Sequence, residues 1–460
     1  MEYILQLEER KRYWLLGIAI TFIFLFIIFS NMLLGIYGFA LSTGVVLCFL
    51  LTPLLYGRYK LFLFLWLVIV PFFDNFRPLL IGSTSLVTYF ITGLSFPVAF
   101  ILIYKELGNA IKELPFLIPL CIFELVMIIN FFRPGTPFMV ITELLRCFIA
   151  IFIIICTYNF LKKNSTETLF NWINIFVVIN SLTAIFQRLT GIGMRIIEGI
   201  PRVQGFLGHP NVTGFVINIF LPVCIYMFLN SKVKKTKIYW GISILINTLA
   251  LLLTFTKVCY FTFAVTMLIL FFYLPFKIKF RVFFGVLASS IIFLILNSVL
   301  DLKIIESMVN RIDNTTSYMF RLRIWHYILS VVNLNNVWFG HGINSVQLFL
   351  TNLNELARAH NIYVQLLYEY GITCIFFYLT FIIPFIKFFK YQFIGKIYNK
   401  FIYIFPILTI IGIFLNMYSD NSILIRTPLY YALVVITIFY LKFNNINNLS
   451  TNDKKIKTIF

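Results

Sequence analysis

The residues best suited to chemistry in this chain are several arginines, one lysine and one histidine, gathered in two polar stretches and one short turn. Residues 188–211 carry Arg188, Arg195 and Arg202 among five glycines. Residues 301–360 carry Arg321, Arg323 and Arg358, and close on Arg358-Ala359-His360-Asn361 just before an apolar run. A guanidinium is a planar fork that grips phosphate or carboxylate through two parallel hydrogen bonds. Glycine lets backbone approach a ligand, so N–H groups of 188–211 are expected to join the arginines in holding an anion. His360 falls at the start of an expected helix, beside Arg358. Nearby cations and the positive end of the helix both favour neutral imidazole, the form that accepts a proton. The chemistry these residues suit is anion binding with general-base catalysis.

Other positions have two readings each. In FRLRIW, Arg321 and Trp325 stand four apart and share a helix face, whereas Arg323 points elsewhere, so Arg321 is the better site candidate. Lys257 lies in LTFTKVCY, in a turn between two apolar runs, and either assists anion binding or reaches headgroups. His209-Pro210-Asn211 is either a ligand contact or a helix-opening turn. Phe339-Gly340-His341-Gly342 reads as a tight turn. Glu143 and Arg146, three apart, are expected to pair, and Glu124 and Glu369 are further carboxylates within apolar runs. Nucleotide-phosphate loops, dinucleotide fingerprints, Asp-x-Asp motifs and metal-ligand spacings are missing from the sequence. No metal or cofactor is therefore expected.

The elements that must position these residues are membrane helices. The chain is 61% hydrophobic with 55 phenylalanines and 12% charged residues, far from a soluble domain. About fourteen runs are long enough to cross a bilayer, near 13–30, 33–56, 60–73, 80–104, 115–132, 138–161, 168–187, 212–230, 238–256, 258–276, 282–300, 361–386, 401–418 and 425–441. The run at 60–73 is short enough to be re-entrant. The expected fold is all-α: a single polytopic membrane domain over 1–460 with about 12–14 transmembrane helices, an outer loop at 188–211 and a large extracytoplasmic loop at 301–360. With both termini in the cytoplasm, the lysine-rich loops all fall inside, as the positive-inside rule requires. Inside lie 20 lysines and four arginines; outside lie ten arginines and two lysines. The net charge of +20 is thus topological, and nucleic acid is not an expected partner. The seven cysteines sit in apolar runs without paired spacing and read as small buried hydrophobes.

A further pattern lies in the order of short motifs. It runs Arg202-x-x-Gly205 with His209-Pro210-Asn211, Leu253-Thr254-x-Thr256-Lys257, Arg321-x-x-x-Trp325, Phe339-Gly340-x-Gly342, His360-Asn361-x-Tyr363 and Leu366-x-x-Glu369-x-Gly371-Ile372. Over roughly residues 200–380 this resembles the O-antigen ligase and polymerase family of bacterial surface polysaccharide assembly. Where that family has Ser-Arg, this chain has Thr256-Lys257, which keeps the charge and gives up the fork. The resemblance implies a GT-C-like, metal-independent glycosyltransferase in the bacterial inner membrane, with its active site on the extracytoplasmic side. Its donor would be a polyprenyl (undecaprenyl) diphosphate-linked glycan, and its acceptor a glycan or a lipid A core. Membrane lipids and a chain-length regulator are the other implied partners.

On this reading His360 is the base, and Arg202, Arg321, Lys257 and Arg358 hold the diphosphate. Polymerase and ligase need the same donor site, and polymerase is slightly preferred because nothing marks a lipid A core acceptor. Two other classes compete. A transporter or flippase for lipid-linked oligosaccharide would also need arginines, but its site would lie near the midplane. A non-catalytic scaffold leaves the arginine sorting unexplained.

Overall fold

The computed structural model describes residues 57–73, 84–132, 141–197, 199–274, 316–332, 336–352, 359–393, 403–418 and 421–457, with residues 54–55, 80–81 and a few single positions besides. The expected helices at 13–30 and 282–300, nearly all of 33–56, and Arg358 lie outside these residues.

The described chain is overwhelmingly helical. In order, α1 spans Tyr59–Phe73, α2 Leu86–Glu113, α3 Leu117–Phe131, α4 Ile141–Leu161 and α5 Thr166–Thr190. Then follow α6 Pro210–Asn230, α7 Lys234–Leu253, α8 Lys257–Tyr273, α9 Thr316–Ser330 and α10 Ser345–Asn352. The last are α11 Ile362–Tyr370, α12 Ile375–Phe393, α13 Ile404–Met417 and α14 Arg426–Lys457. Among the described residues, six spans are long and apolar enough to cross a membrane, one of them the combined α11–α12 run, and four shorter apolar helices accompany them. The chain is an all-α polytopic membrane protein. The segment at 60–73 is a helix with a π turn at Leu65–Ile69. Each expected helix that lies within the described residues is present; most ends shift by a few residues, while α2 continues to Glu113 and α14 to Lys457.

Apolar residues lie outside as well as inside. Along α5, Ile175, Ile179, Leu182, Phe186 and Leu189 form an exposed apolar stripe at three- and four-residue spacing, a face suited to lipid. The interior is mainly large apolar side chains, Trp66, Phe116, Phe152 and Trp240 among them, with polar groups set between helices. Asn174 donates to Ser243 at 2.8 Å and Ser181 to Asn247 at 2.8 Å, joining α5 to α7. Asn416 of α13 donates to Thr262 of α8 at 3.2 Å. Such bonds hold helices together where lipid provides no hydrophobic drive. At the centre, α6 packs against α5, α7, α8, α13 and α14, while α4 packs against α1, α2, α3 and α14. The outer segment builds a second, smaller core in which Ile324, Trp325 and Ile328 meet Val346, Leu350, Val364 and Tyr368.

The bundle has two chemically distinct ends. At one, lysines rest on aromatic rings: Lys162 lies 4.1 Å from the Tyr158 ring centre, Lys387 3.7 Å from Tyr440 and Lys442 5.2 Å from Tyr226. This is how long cationic chains anchor at a membrane interface. Towards the other end, Arg426 opens α14, the helix that carries Lys442, Arg188 lies in the last turn of α5, and Lys257 opens α8 beside Thr256, to which Arg202 is bonded. We expect Thr190→Cys and Lys234→Cys, both at exposed positions, to react with a membrane-impermeant thiol reagent from opposite sides of the membrane. Labelling of both from one side would overturn this topology.

Candidate functional site

The arginine end is organised by Arg202. Residues 188–211, expected as a glycine-rich loop, form a hairpin in which β1, Arg195–Ile197, pairs with β2, Ile200–Arg202. The hairpin delivers Arg202 into the bundle, where it is 2% exposed. Its Nε donates to the Thr254 carbonyl at 2.8 Å, and one terminal nitrogen donates to Asn211 Oδ1 at 2.9 Å and Thr256 Oγ1 at 2.6 Å. One guanidinium thus ties the hairpin to the start of α6 and to the α7–α8 turn. That turn holds Phe255 at φ +48, a conformation a bulky residue adopts only when its surroundings impose it. Lys257 follows, half-buried, as the first residue of α8. The sequence read Arg202 as a ligand contact; the structure shows it buried and bonded to the groups that set Lys257 in place.

The backbone of this segment departs from expectation. The N–H groups of Gln204 and Gly205 both donate to Gln187 Oε1, at 2.9 and 3.0 Å, and that of Phe206 donates to Asn180 Oδ1 at 2.8 Å. These amides are spent on side chains of α5 and are not presented to an anion. A Cβ on Gly205 would collide with Asn180, so the glycine serves close packing. His209 is a cap: its Nδ1 accepts from Asn211 N at 3.2 Å at the start of α6. Arg195 is exposed, and Arg188 lies over the Phe255 ring at 5.4 Å.

His360 is positioned by the tryptophan of FRLRIW. Trp325 is buried, and its Nε1 donates to the Ala359 carbonyl at 2.7 Å. The next residue, half-buried His360, has φ +50. Asn361 then caps α11, accepting from Val364 N at 3.2 Å. As the four-residue spacing predicts, Trp325 faces the small outer core with Arg321 half-buried on the same side, and Arg323 is exposed.

The two glycine motifs interlock. His341 N donates to the Tyr368 carbonyl at 2.8 Å and Gly342 N to that of Glu369 at 2.9 Å. In return Ile372 N donates to the Val337 carbonyl at 2.7 Å. A Cβ on Gly340 would strike the backbone of Glu369 and Tyr370, and one on Gly371 would strike that of Val337 and Trp338. The contact is backbone on backbone. It divides the expected helix at 361–386 into α11 and α12, joined by a 3-10 turn at Gly371–Cys374. Buried Glu369 adds a further tie, accepting from Gln365 Nε2 at 3.2 Å and from the backbone of Asn344 and Val346 at the start of α10.

Between α4, α11 and the start of α14 lies a cavity of about 570 Å³. Its wall includes Glu143, Arg146, Glu369 and Arg426. Glu143 and Arg146 form the expected ion pair, and both also face this space. The sequence did not reveal the cavity or the part Arg426 plays in it. The signal was the charged residues within apolar runs, Glu143, Arg146 and Glu369.

The comparison with protein families addresses this half of the chain. Residues 242–379 match the O-antigen ligase family model. The match bears out the resemblance read from the motifs. The matched stretch runs from within α7 into α12 and includes Lys257, Arg321, His360 and both halves of the glycine interlock. Arg202, Arg146 and Arg426 lie outside it. No curated protein matches the chain.

The interlock makes a sharp prediction. Gly371→Ala should yield little folded protein, because backbone on both sides must move to admit the methyl group. Gly108→Ala, in α2 with open space around it, should fold and gain about 0.5–1 kcal/mol. Yield and thermal unfolding in detergent check both; a Gly371→Ala protein as stable as the native one would refute the packing argument.

Proposed function

We propose that this protein is a membrane glycosyltransferase of the O-antigen ligase and polymerase type. It takes its glycan from a polyprenyl-diphosphate carrier at the arginine end of the bundle, on the extracytoplasmic face of the bacterial inner membrane. Of the two activities, polymerisation of lipid-linked repeat units is the favoured one. The family match and the multi-helix membrane fold support the class of reaction.

The observation that carries the site assignment is one path of contacts from the anion-binding candidates to the base. Arg202 bonds Thr256, which precedes Lys257. One turn into α8, Cys259 Sγ donates to Asn416 Oδ1 at 3.4 Å. Tyr418, two residues on, packs edge-to-face on Trp325 with ring centres 5.5 Å apart, and Trp325 bonds the carbonyl before His360. Residues far apart in sequence share one end of one bundle.

In the reaction, an acceptor hydroxyl oxygen bonds to the anomeric carbon of the donor sugar as the bond to the diphosphate oxygen breaks. The diphosphate leaves with the electron pair, and the hydroxyl proton passes to His360. Lys257 and Arg321 hold the diphosphate, with Arg358, two residues before the base in sequence, as a further cation for it. Arg202 adds its charge to Lys257 and fixes the turn that bears it. Fixed cations aimed at charge that grows in the transition state stabilise it without reorganising, which supports a metal-independent reaction. A positioned base supplies about 10²–10⁴-fold.

The test incubates purified protein with the host's lipid-linked repeat unit in the presence of chelator and resolves products by size. The native protein should give a ladder. His360→Ala should give none, and Lys257→Ala should lose about 10²–10³-fold in rate, with Lys257→Arg retaining most of it. A normal ladder from His360→Ala would refute the assignment of the base. Trp325→Phe keeps the ring and removes the bond to Ala359. It should lower kcat more than it raises KM, while stability falls by about 1 kcal/mol; unchanged kcat would mean that Trp325 only packs.

A further inference from the structure

The cavity between α4, α11 and α14 differs in chemistry from the Arg202–Lys257 group, and the difference indicates what it binds. Resting on the glycosyltransferase reading, we propose that this cavity is the acceptor subsite, holding the terminal sugar of the acceptor glycan with its reactive hydroxyl toward His360.

Charge is the first argument. Two guanidiniums, Arg146 and Arg426, are matched by two carboxylates, Glu143 and Glu369, on the same wall. Arg146 is already committed to Glu143. A diphosphate placed here would bring several negative charges against the partly exposed Glu143 and the buried Glu369, a costly arrangement. A neutral, hydroxyl-rich ligand meets no such penalty.

Hydrogen-bond capacity is the second. Four amide side chains, Asn344, Gln347, Gln365 and Asn421, also line the cavity. Each offers a donor and an acceptor, as does every sugar hydroxyl. Asn421 donates through Nδ2 to Gln365. Its Oδ1 is buried and has no hydrogen-bond partner among the described residues. That acceptor needs a donor, which a hydroxyl supplies and an ionised diphosphate cannot. Phe123 and Tyr370, with ring centres 5.1 Å apart, give an apolar wall for the carbon face of a pyranose.

Position is the third. Ala359 lines the cavity, so the turn bearing His360 forms its edge. A base must come within hydrogen-bond reach of the proton it removes. The volume of about 570 Å³ lies within the range of small-ligand sites. The Arg202–Lys257 group at the α7–α8 turn is left for the diphosphate, and the cavity with its paired charges for the sugar.

The experiment separates acceptor from donor by using the free repeat-unit oligosaccharide, released from its lipid by mild acid. This probe has acceptor hydroxyls and no diphosphate. Transfer from the intact lipid-linked unit to the free oligosaccharide is measured for native protein, Gln347→Leu, Asn421→Leu and Lys257→Ala, each shown monodisperse. Both cavity variants should raise the KM for free oligosaccharide by about tenfold, the worth of one lost hydrogen bond. Their KM for the lipid-linked donor should stay within about twofold of native, and Lys257→Ala should show the reverse pattern. Gln347 is half-buried at the wall, so its variant keeps the test open if Asn421→Leu fails to fold. A rise in donor KM instead would make the cavity the diphosphate site and overturn the proposal. No change in either KM would mean that the cavity binds neither substrate, again overturning it while leaving the glycosyltransferase reading intact. A native protein that transfers no glycan to any acceptor would sink that reading and the acceptor subsite with it.

Discussion

Backbone lies directly on backbone where Phe339–Gly342 meets Tyr368–Gly371, and much of the site hangs from that contact. It requires two glycines, because either Cβ would occupy space held by the opposing chain. It satisfies the last carbonyls of α11 with amides of the outer segment, groups a helix end otherwise leaves unpaired. It ends α11 after nine residues and lets α12 begin in a new direction. Glu369 then draws the start of α10 onto the same point. The outer segment is thereby fixed to the bundle at its middle, and Trp325 fixes it again at its end.

His360 depends on this double attachment. Its positive φ is uncommon for a residue with a side chain, and the turn is held from both sides: Trp325 grips the carbonyl before it, and Asn361 caps the helix after it. Arg202 plays the corresponding part on the other side of the site. It is buried, bonded to three groups and followed through them by the strained Phe255 and by Lys257. In both places a candidate for the chemistry, His360 or Lys257, sits next to residues whose hydrogen bonds hold its backbone turn still.

The membrane sharpens these effects. With apolar residues facing lipid, polar interior groups are expensive unless partnered. Asn174, Ser181, Asn218 and Asn416 are each partnered across helices. Against that background a roomy cavity lined by two arginines, two glutamates and four amide side chains stands out.

Some of this was legible in the sequence. Apolar run length determined the helices within the described residues, because the bilayer sets one length for all of them. Lysine and arginine sorting marked the two ends. Four-residue spacing put Arg321 and Trp325 on one face, and three-residue spacing paired Glu143 with Arg146. Each of these is a local rule, readable within a window of about twenty residues. What only the tertiary structure decided depends on contacts between distant segments. Arg202 is buried because Thr254, Thr256 and Asn211 lie where it enters, and no local pattern announces three such acceptors. Gly193 and Gly205 pack against Gln187 and Asn180 of α5, and the same two side chains take the amides of Gln204, Gly205 and Phe206. Gly340 and Gly371 need each other, thirty-one positions apart. The cavity exists because the starts of α4 and α14 meet beside α11, bringing Arg146 and Arg426 to one wall from opposite parts of the chain. Sequence specifies such pairings only through the whole set of packing choices, and the fold makes them visible.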